Sequence, residues 1–217
     1  LGIPGENSSA VFSSTEFVGW YNGNPFFKNL CVPEQAKNIV IIGNGNVALD
    51  CARLLAKHNE EFYGSDIMQS SKDLINKLNL KDIYIIGRRS PLESKFTISE
   101  LREIGNLNNF KPKIEYEEEK ILELLSREDI DTKTKKNLEV LRDYKEKESS
   151  SSDKNVIFKF LLSPFKINGG DTIKSVSFTK NKIKDGIVTP TDEILEIQTD
   201  MVITAIGYKT NKIEQMP

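Results

Sequence analysis

The sequence predicts an α/β fold: a parallel sheet flanked by helices, with a small antiparallel β unit appended. Three observations predict it. Residues 38–43 (NIVIIG) form a short apolar, β-branched run of the kind that a strand buried on both faces needs. A glycine turn, Gly43-Asn44-Gly45-Asn46-Val47-Ala48, follows at once and opens a helical pattern through Arg53, Leu54 and Leu55. Two further apolar runs, Ile83-Tyr84-Ile85-Ile86 and Met201-Val202-Ile203-Thr204-Ala205-Ile206, read as strands, and the last ends in Gly207-Tyr208.

The remaining elements follow in chain order. Residues 14–22 read as a short helix capped by Ser13 or Ser14 and stopped by Gly23. Phe17, Val18 and Tyr21 fall at helical spacing, and with Trp20 they anchor this helix to the sheet. Beyond the helix that follows the glycine turn, residues 59–79 form an excursion, a loop and then a helix carrying Leu74, Ile75 and Leu78. After Gly87-Arg88-Arg89 comes a loop, and Thr97-x-x-Glu100 reads as a capping box opening a helix through Leu101 and Ile104.

The composition shifts at Lys111. From there to Lys154, 24 of 44 residues are charged, 11 positive and 13 negative, which leaves too little apolar surface to fold alone. Leu122 and Leu125, and Leu138 and Leu141, give only weak helical spacing, and 145–154, with its run Glu148-Ser149-Ser150-Ser151-Ser152, is expected to be disordered. From Val156 the pattern turns to short strands at 156–162, 173–179 and 194–198, separated by turns at Gly169-Gly170 and Asp185-Gly186.

The chemistry legible in this order is that of a Rossmann-like nucleotide site. Gly43 and Gly45 allow a tight turn and the close approach of a pyrophosphate. The helix that begins at Asn46 and Val47 then presents unpaired N–H groups and its positive dipole end to that anion. Gly43, Asn44, Gly45, Asn46 and Val47 are therefore candidate cofactor-binding residues. Arg88 and Arg89 end the next strand, where an acidic residue would hold a ribose 2′-hydroxyl and arginine suits a 2′-phosphate. The pair points to NADP(H) and not NAD. Gly43 and Arg88 are 45 residues apart, more than the roughly 30 of a minimal unit, which is why the stretch 59–79 reads as an excursion.

Composition excludes several other classes. A chain of 217 residues suits one domain, or one domain with a large appendage. A net charge of −2 gives no electrostatic case for nucleic acid. No apolar stretch approaches the roughly 18 residues of a membrane span. Cys31 and Cys51 form no metal-binding pattern, and Cys51 reads as a small buried thiol on the nucleotide helix. His58 is the only histidine, so neither a triad nor a zinc site is available, and no catalytic residue is assigned. The opening Leu1-Gly2-Ile3-Pro4-Gly5 has neither an initiator methionine nor a signal sequence, and the chain reads as a piece of something larger.

Four strings together resemble the adrenodoxin/ferredoxin–NADP⁺ reductases, glutathione-reductase-like flavoproteins. They are Phe17-Val18-Gly19-Trp20-Tyr21-Asn22-Gly23, GNGNVALDCAR from Gly43, GRRSPLESKFTISELRE from Gly87, and AIGYKT from Ala205, in the family's order. The resemblance implies an NADP(H)-binding domain over residues 1–217, inserted in that family within an FAD domain absent from this chain, since no second G-x-G-x-x-G occurs. It implies hydride transfer from NADPH to FAD, single-electron transfer to a [2Fe–2S] ferredoxin or adrenodoxin, and a mitochondrial location. The chain alone is expected to be inactive.

The resemblance also assigns residues. Asn46 and Val47 meet the pyrophosphate, Arg88 and Arg89 grip the 2′-phosphate, and Glu100 contacts the adenosine ribose side; the capping box is the other reading of its carboxylate, and the two need not exclude each other. The sequence departs from the family at Ser90, which is usually glycine, and at Lys95, which replaces a small apolar residue and adds a charge near the phosphate. A third departure is Glu115-Tyr116-Glu117-Glu118-Glu119-Lys120, where the family's ferredoxin-docking surface is basic. Two other readings stay open: the corresponding domain of a glutamate-synthase-type flavin reductase subunit, and a non-catalytic NADP(H)-sensing module.

Overall fold

The structure is a computed structural model that describes residues 1–147, 153–170, 172–184 and 186–207. Its elements are β1 (Val11–Ser13), α1 (Ser14–Tyr21), β2 (Asn38–Ile42), α2 (Asn46–Ala56), α3 (Gln69–Lys77), β3 (Asp82–Ile86), α4 (Ile98–Gly105), β4 (Lys111–Glu115), α5 (Glu118–Leu125), α6 (Thr132–Glu146), β5 (Asn155–Lys159), β6 (Leu162–Gly169), β7 (Ile173–Lys184), β8 (Ile187–Gln198) and β9 (Met201–Thr204). Six strands form a wholly parallel sheet in the order β1-β9-β2-β3-β5-β4, and β6-β7-β8 form a separate antiparallel sheet.

The apolar runs are continuous because both faces of the parallel sheet are covered, and successive side chains alternate between them. Ile39, Ile41, Ile83, Ile85, Met201 and Ile203 point into the core shared with the helices. Val40, Ile42, Ile86 and Val202 point the other way, into a second core against Leu162, Ile167, Val176 and Phe178 of the antiparallel unit. The helices thus lie on one face and the small β sheet on the other.

Helix α1 begins in the way its sequence requires. Ser13 caps it, with Oγ accepting from Glu16 N at 3.2 Å and the Glu16 carboxylate accepting from Ser13 N at 2.7 Å. Asn22 is its C-cap, and Gly23 turns the chain at φ +76°. Phe17 is fully buried and packs against the tilted ring of Trp20 and edge-on against Tyr21, with ring centroids 5.6 and 5.8 Å away.

The charge-dense segment departs from expectation. Residues 111–146 hold three regular elements: β4 pairs with β5 at the sheet edge, and α5 and α6 cover it. Helix α6 starts at Asp131, whose carboxylate accepts from Thr134 N at 2.9 Å, and it buries the stripe Asn137, Leu138, Val140, Leu141 and Tyr144. An apolar stripe of this width suffices once it docks on a sheet already assembled, and the many charges occupy the outer face. The acidic run is divided in the same way, since Glu115 ends β4 beside Lys159 and Glu117 pairs with Lys120 at 2.8 Å. Of the stretch expected to be disordered, 148–152 lies outside the described residues.

The later strands are longer than the sequence pattern indicates. The run 156–162 belongs to two sheets: β5 is parallel, and the chain breaks at Leu161 (φ +58°) before entering β6. β7 and β8 each extend to 12 residues. Asp185 of the Asp185-Gly186 turn and residues 208–210 of the AIGYKT string lie outside the described residues, as does Tyr208 at the end of the last strand.

Candidate functional site

The two sequence signals meet at the carboxyl ends of the two central strands. β2 and β3 are in register with Ile42 opposite Ile86, and Gly43 N donates to Ile86 O at 2.9 Å. The glycine turn and Gly87-Arg88-Arg89 therefore leave the sheet side by side from the carboxyl ends of adjacent strands, where ligands bind in open α/β sheets.

The two turn glycines serve different ends. Gly43 has φ +147°, and a Cβ there would lie 2.3 Å from the carbonyl oxygen of Ala205, just past β9. Gly45 has extended torsions (φ −135°, ψ −179°) that any residue adopts, and a Cβ there would meet nothing within 4 Å. Gly45 is also the N-cap of α2, and no side chain caps that helix. Ala48 N and Leu49 N close back on the Gly45 carbonyl at 3.0 and 3.2 Å, which leaves the N–H groups of Asn46 and Val47 as the unpaired donors of the first turn, with the positive dipole end behind them. A helix N-terminus left open in this way is suited to an anion.

Arg88 and Arg89 are exposed and form no ion pair among the described residues. Their backbone is fixed by the antiparallel unit. Asn181 Nδ2 donates to Arg88 O at 2.9 Å and to Ser163 Oγ at 2.9 Å, and Leu161 N donates to Arg89 O at 3.1 Å.

A strap, residues 90–97, runs from the arginines back across the glycine turn. Ser90 caps its single 3₁₀ turn (Pro91–Glu93). Asn44 Nδ2 donates to Ser94 Oγ at 2.8 Å, Lys95 N to Asn44 O at 3.0 Å, and Thr97 N to Asn46 Oδ1 at 2.7 Å. From behind, Asn137 Nδ2 donates to the carbonyl of buried Phe96 at 3.0 Å. Asn44 Oδ1 is buried without a hydrogen-bond partner among the described residues.

Glu100 departs from the capping box in one half. Thr97 Oγ1 accepts from Glu100 N at 3.4 Å, but the Glu100 carboxylate does not return to Thr97 N, which is already bound to Asn46. It faces α2 instead, with Oε2 3.8 Å from Arg53 and without a hydrogen-bond partner among the described residues. Arg53 also holds Asp50 at 2.9 Å and pairs with Glu103. Burial first, and the Asp50 carboxylate second, push the Glu100 carboxyl above the usual range. Burial likewise pushes the Cys51 thiol up to about 12, which suits an inert core residue.

The sequence assignment missed the roles of Asp50, Arg53, Asn137 and Asn181. The Asp50-x-x-Arg53 spacing is a readable helical ion pair. Asn181 carries no such signal, because it acts on Arg88 from 93 residues away.

A doubly covered parallel sheet with a glycine turn, a helix N-terminus and paired arginines at the carboxyl ends of its two central strands has the architecture of the α/β domains that bind dinucleotides. No protein-family profile matches the chain. Its homologues are NADPH–ferredoxin and NADPH:adrenodoxin reductases. It is 32% identical to the NADPH-ferredoxin reductase FprA of Mycobacterium tuberculosis, over 96% of this chain and 47% of that protein. It is 35% identical to a probable mitochondrial NADPH:adrenodoxin oxidoreductase of Dictyostelium discoideum, over 98% of this chain and 45% of that one. The fold matches FprA of Mycobacterium tuberculosis in complex with NADPH at a TM-score of 0.87 and 29% identity, over 100% of this chain and 49% of that chain. The chain spans about half the length of the curated relatives that it matches. Among the described residues no helix is long and apolar enough to cross a membrane.

Proposed function

We propose that this chain is the NADP(H)-binding domain of an NADPH:ferredoxin or adrenodoxin oxidoreductase. The observation that carries the proposal is the adjacency of the glycine turn and the arginine pair, fixed by the Gly43 N to Ile86 O bond of 2.9 Å. The cradle fits a dinucleotide: Gly45 leaves open the space that a pyrophosphate needs, and the N–H groups of Asn46 and Val47 open the helix beneath it. With Oδ1 committed to Thr97, the Asn46 amide offers its Nδ2 to the phosphate. Arg88 and Arg89 give charge-assisted hydrogen bonds to the 2′-phosphate. Glu100 lies toward the adenosine ribose, and Arg53 moderates the charge that it shares with Asp50.

The chain's own work in this reading is binding and orientation. It carries no second G-x-G-x-x-G turn, so the flavin is held by other parts of the enzyme. Bound FAD supplies the conversion of a hydride into single electrons for an iron–sulfur ferredoxin. The ferredoxin partner is supported by the relatives' names. A mitochondrial location is supported by the eukaryotic relatives alone, since the mycobacterial ones match as well.

The test is an absorption spectrum and a turnover assay on full-length protein. Stoichiometric flavin and ferredoxin reduction driven by NADPH far better than by NADH are expected. Full-length protein without flavin would overturn the enzyme reading and favour a sensor. The isolated 217-residue chain is expected to be colourless and unable to oxidise NADPH.

A further inference from the structure

The strap over the glycine turn carries a cation that the proposed site does not yet use. Lys95 sits between Ser94, at φ −64° and ψ 136°, and buried Phe96, with Thr97 next at φ −83° and ψ 154°. In extended chain, successive side chains point to opposite sides. Phe96 points into the core and is fully buried, whereas Lys95 is exposed.

The Lys95 backbone is held over the cradle. Its own N–H donates to Asn44 O at 3.0 Å, and the bonds Asn44–Ser94 at 2.8 Å and Thr97–Asn46 at 2.7 Å lie on either side. Both asparagines belong to the glycine turn. Three bonds within four residues thus fix the base of this side chain beside the place where α2 presents its N–H groups. The ammonium forms no ion pair among the described residues.

We propose that Lys95 is a third phosphate-binding cation, closing on the pyrophosphate from the solvent side while the α2 N-terminus holds it from below. The inference rests on the NADP(H) reading and divides the labour within it. Arg88 and Arg89, with planar forked donors, select the 2′-phosphate. Lys95, a compact charge on a flexible stem, holds the phosphates common to any dinucleotide. Nothing in its position favours the 2′-phosphate, because its bonds run to the glycine turn and not to the arginines.

The test is calorimetry of full-length wild type, Lys95→Met and Lys95→Arg with NADP⁺, and with adenosine 2′-monophosphate, which carries the 2′-phosphate and no pyrophosphate. Lys95→Met should weaken NADP⁺ by about tenfold at low salt, the size of one charge-assisted contact discounted for exposure. The loss should shrink at high salt, Lys95→Arg should retain most of the affinity, and adenosine 2′-monophosphate should bind both variants as it binds wild type. Unchanged NADP⁺ affinity in Lys95→Met would overturn this inference and leave the NADP(H) reading standing. An equal loss on both ligands would move Lys95 to the 2′-phosphate and overturn it as well. Wild-type protein that binds no NADP⁺ would overturn both.

Discussion

Alanine at Gly43 and at Gly45 is the same chemical change two residues apart, and the structure assigns it opposite consequences. At Gly43 the new Cβ would lie 2.3 Å from the Ala205 carbonyl oxygen, in a backbone region (φ +147°) that L side chains rarely adopt. Backbone strain of about 1–3 kcal/mol and an overpacking cost of similar size together make Gly43→Ala destabilising by about 3 kcal/mol or more. At Gly45 the torsions are ordinary and the Cβ enters open space. Alanine is a poorer N-cap than glycine by about 0.5–1 kcal/mol, and the reduced freedom of the unfolded chain returns about 0.4–1 kcal/mol, so stability should barely change.

Binding should respond in the reverse sense. The Gly45→Ala methyl occupies the space through which a pyrophosphate reaches the α2 N–H groups. Losing two charge-assisted hydrogen bonds, at about 1.5 kcal/mol each or more, weakens NADP⁺ by about a hundredfold. Denaturant titration and calorimetry read the two effects separately. Gly45→Ala that is stable and binds NADP⁺ as wild type does would place the phosphate elsewhere and refute the reasoning.

Two further outcomes follow from the same packing. The Tyr144 hydroxyl donates to Leu101 O at 2.7 Å in the core, so Tyr144→Phe should cost about 1–2 kcal/mol in denaturant unfolding; no change would show that the α4–α6 contact is held by apolar packing alone. Because burial and Asp50 raise Glu100, its contribution to stability is fully present below the ordinary carboxylate pKa of about 4.3 and is lost as pH rises through the raised value. The stability of Glu100→Gln relative to wild type should therefore grow from acidic to neutral pH, and a relative loss over that interval would mean that the Arg53 attraction dominates.

The parts of this fold that could be read from sequence are those in which local pattern and global position agree. Residues 39–42 and 83–86 are apolar runs because one residue in two faces helices and the next faces the antiparallel unit. The glycine turn was legible as a strand–helix junction because Gly43 must turn at φ +147° against the Ala205 carbonyl, and the arginine pair because it ends the neighbouring strand. The region 111–147 was not, because its few apolar residues suffice only against a sheet that other segments build. Glu100 was only half legible. The Thr97-x-x-Glu100 pattern marks the helix start correctly, but the competition of Asn46 for Thr97 N, which frees the carboxylate to face Arg53, comes from 51 residues away. Nothing local in Asn181 shows that it supports the backbone of Arg88.

The central claim is that Arg88 and Arg89 read a 2′-phosphate beside a cradle for the pyrophosphate. Its most direct test compares the affinities of 2′,5′-ADP and 5′-AMP for wild type, Arg88→Ala and Arg89→Ala by calorimetry. Each lost arginine removes a charge-assisted interaction worth about 1.5–3 kcal/mol, so 2′,5′-ADP should weaken by about one to two orders of magnitude. The affinity for 5′-AMP, which lacks the 2′-phosphate, should change little. Substitutions that weaken both ligands equally would contradict the claim, for the arginines would then not be reading the phosphate that distinguishes NADP from NAD.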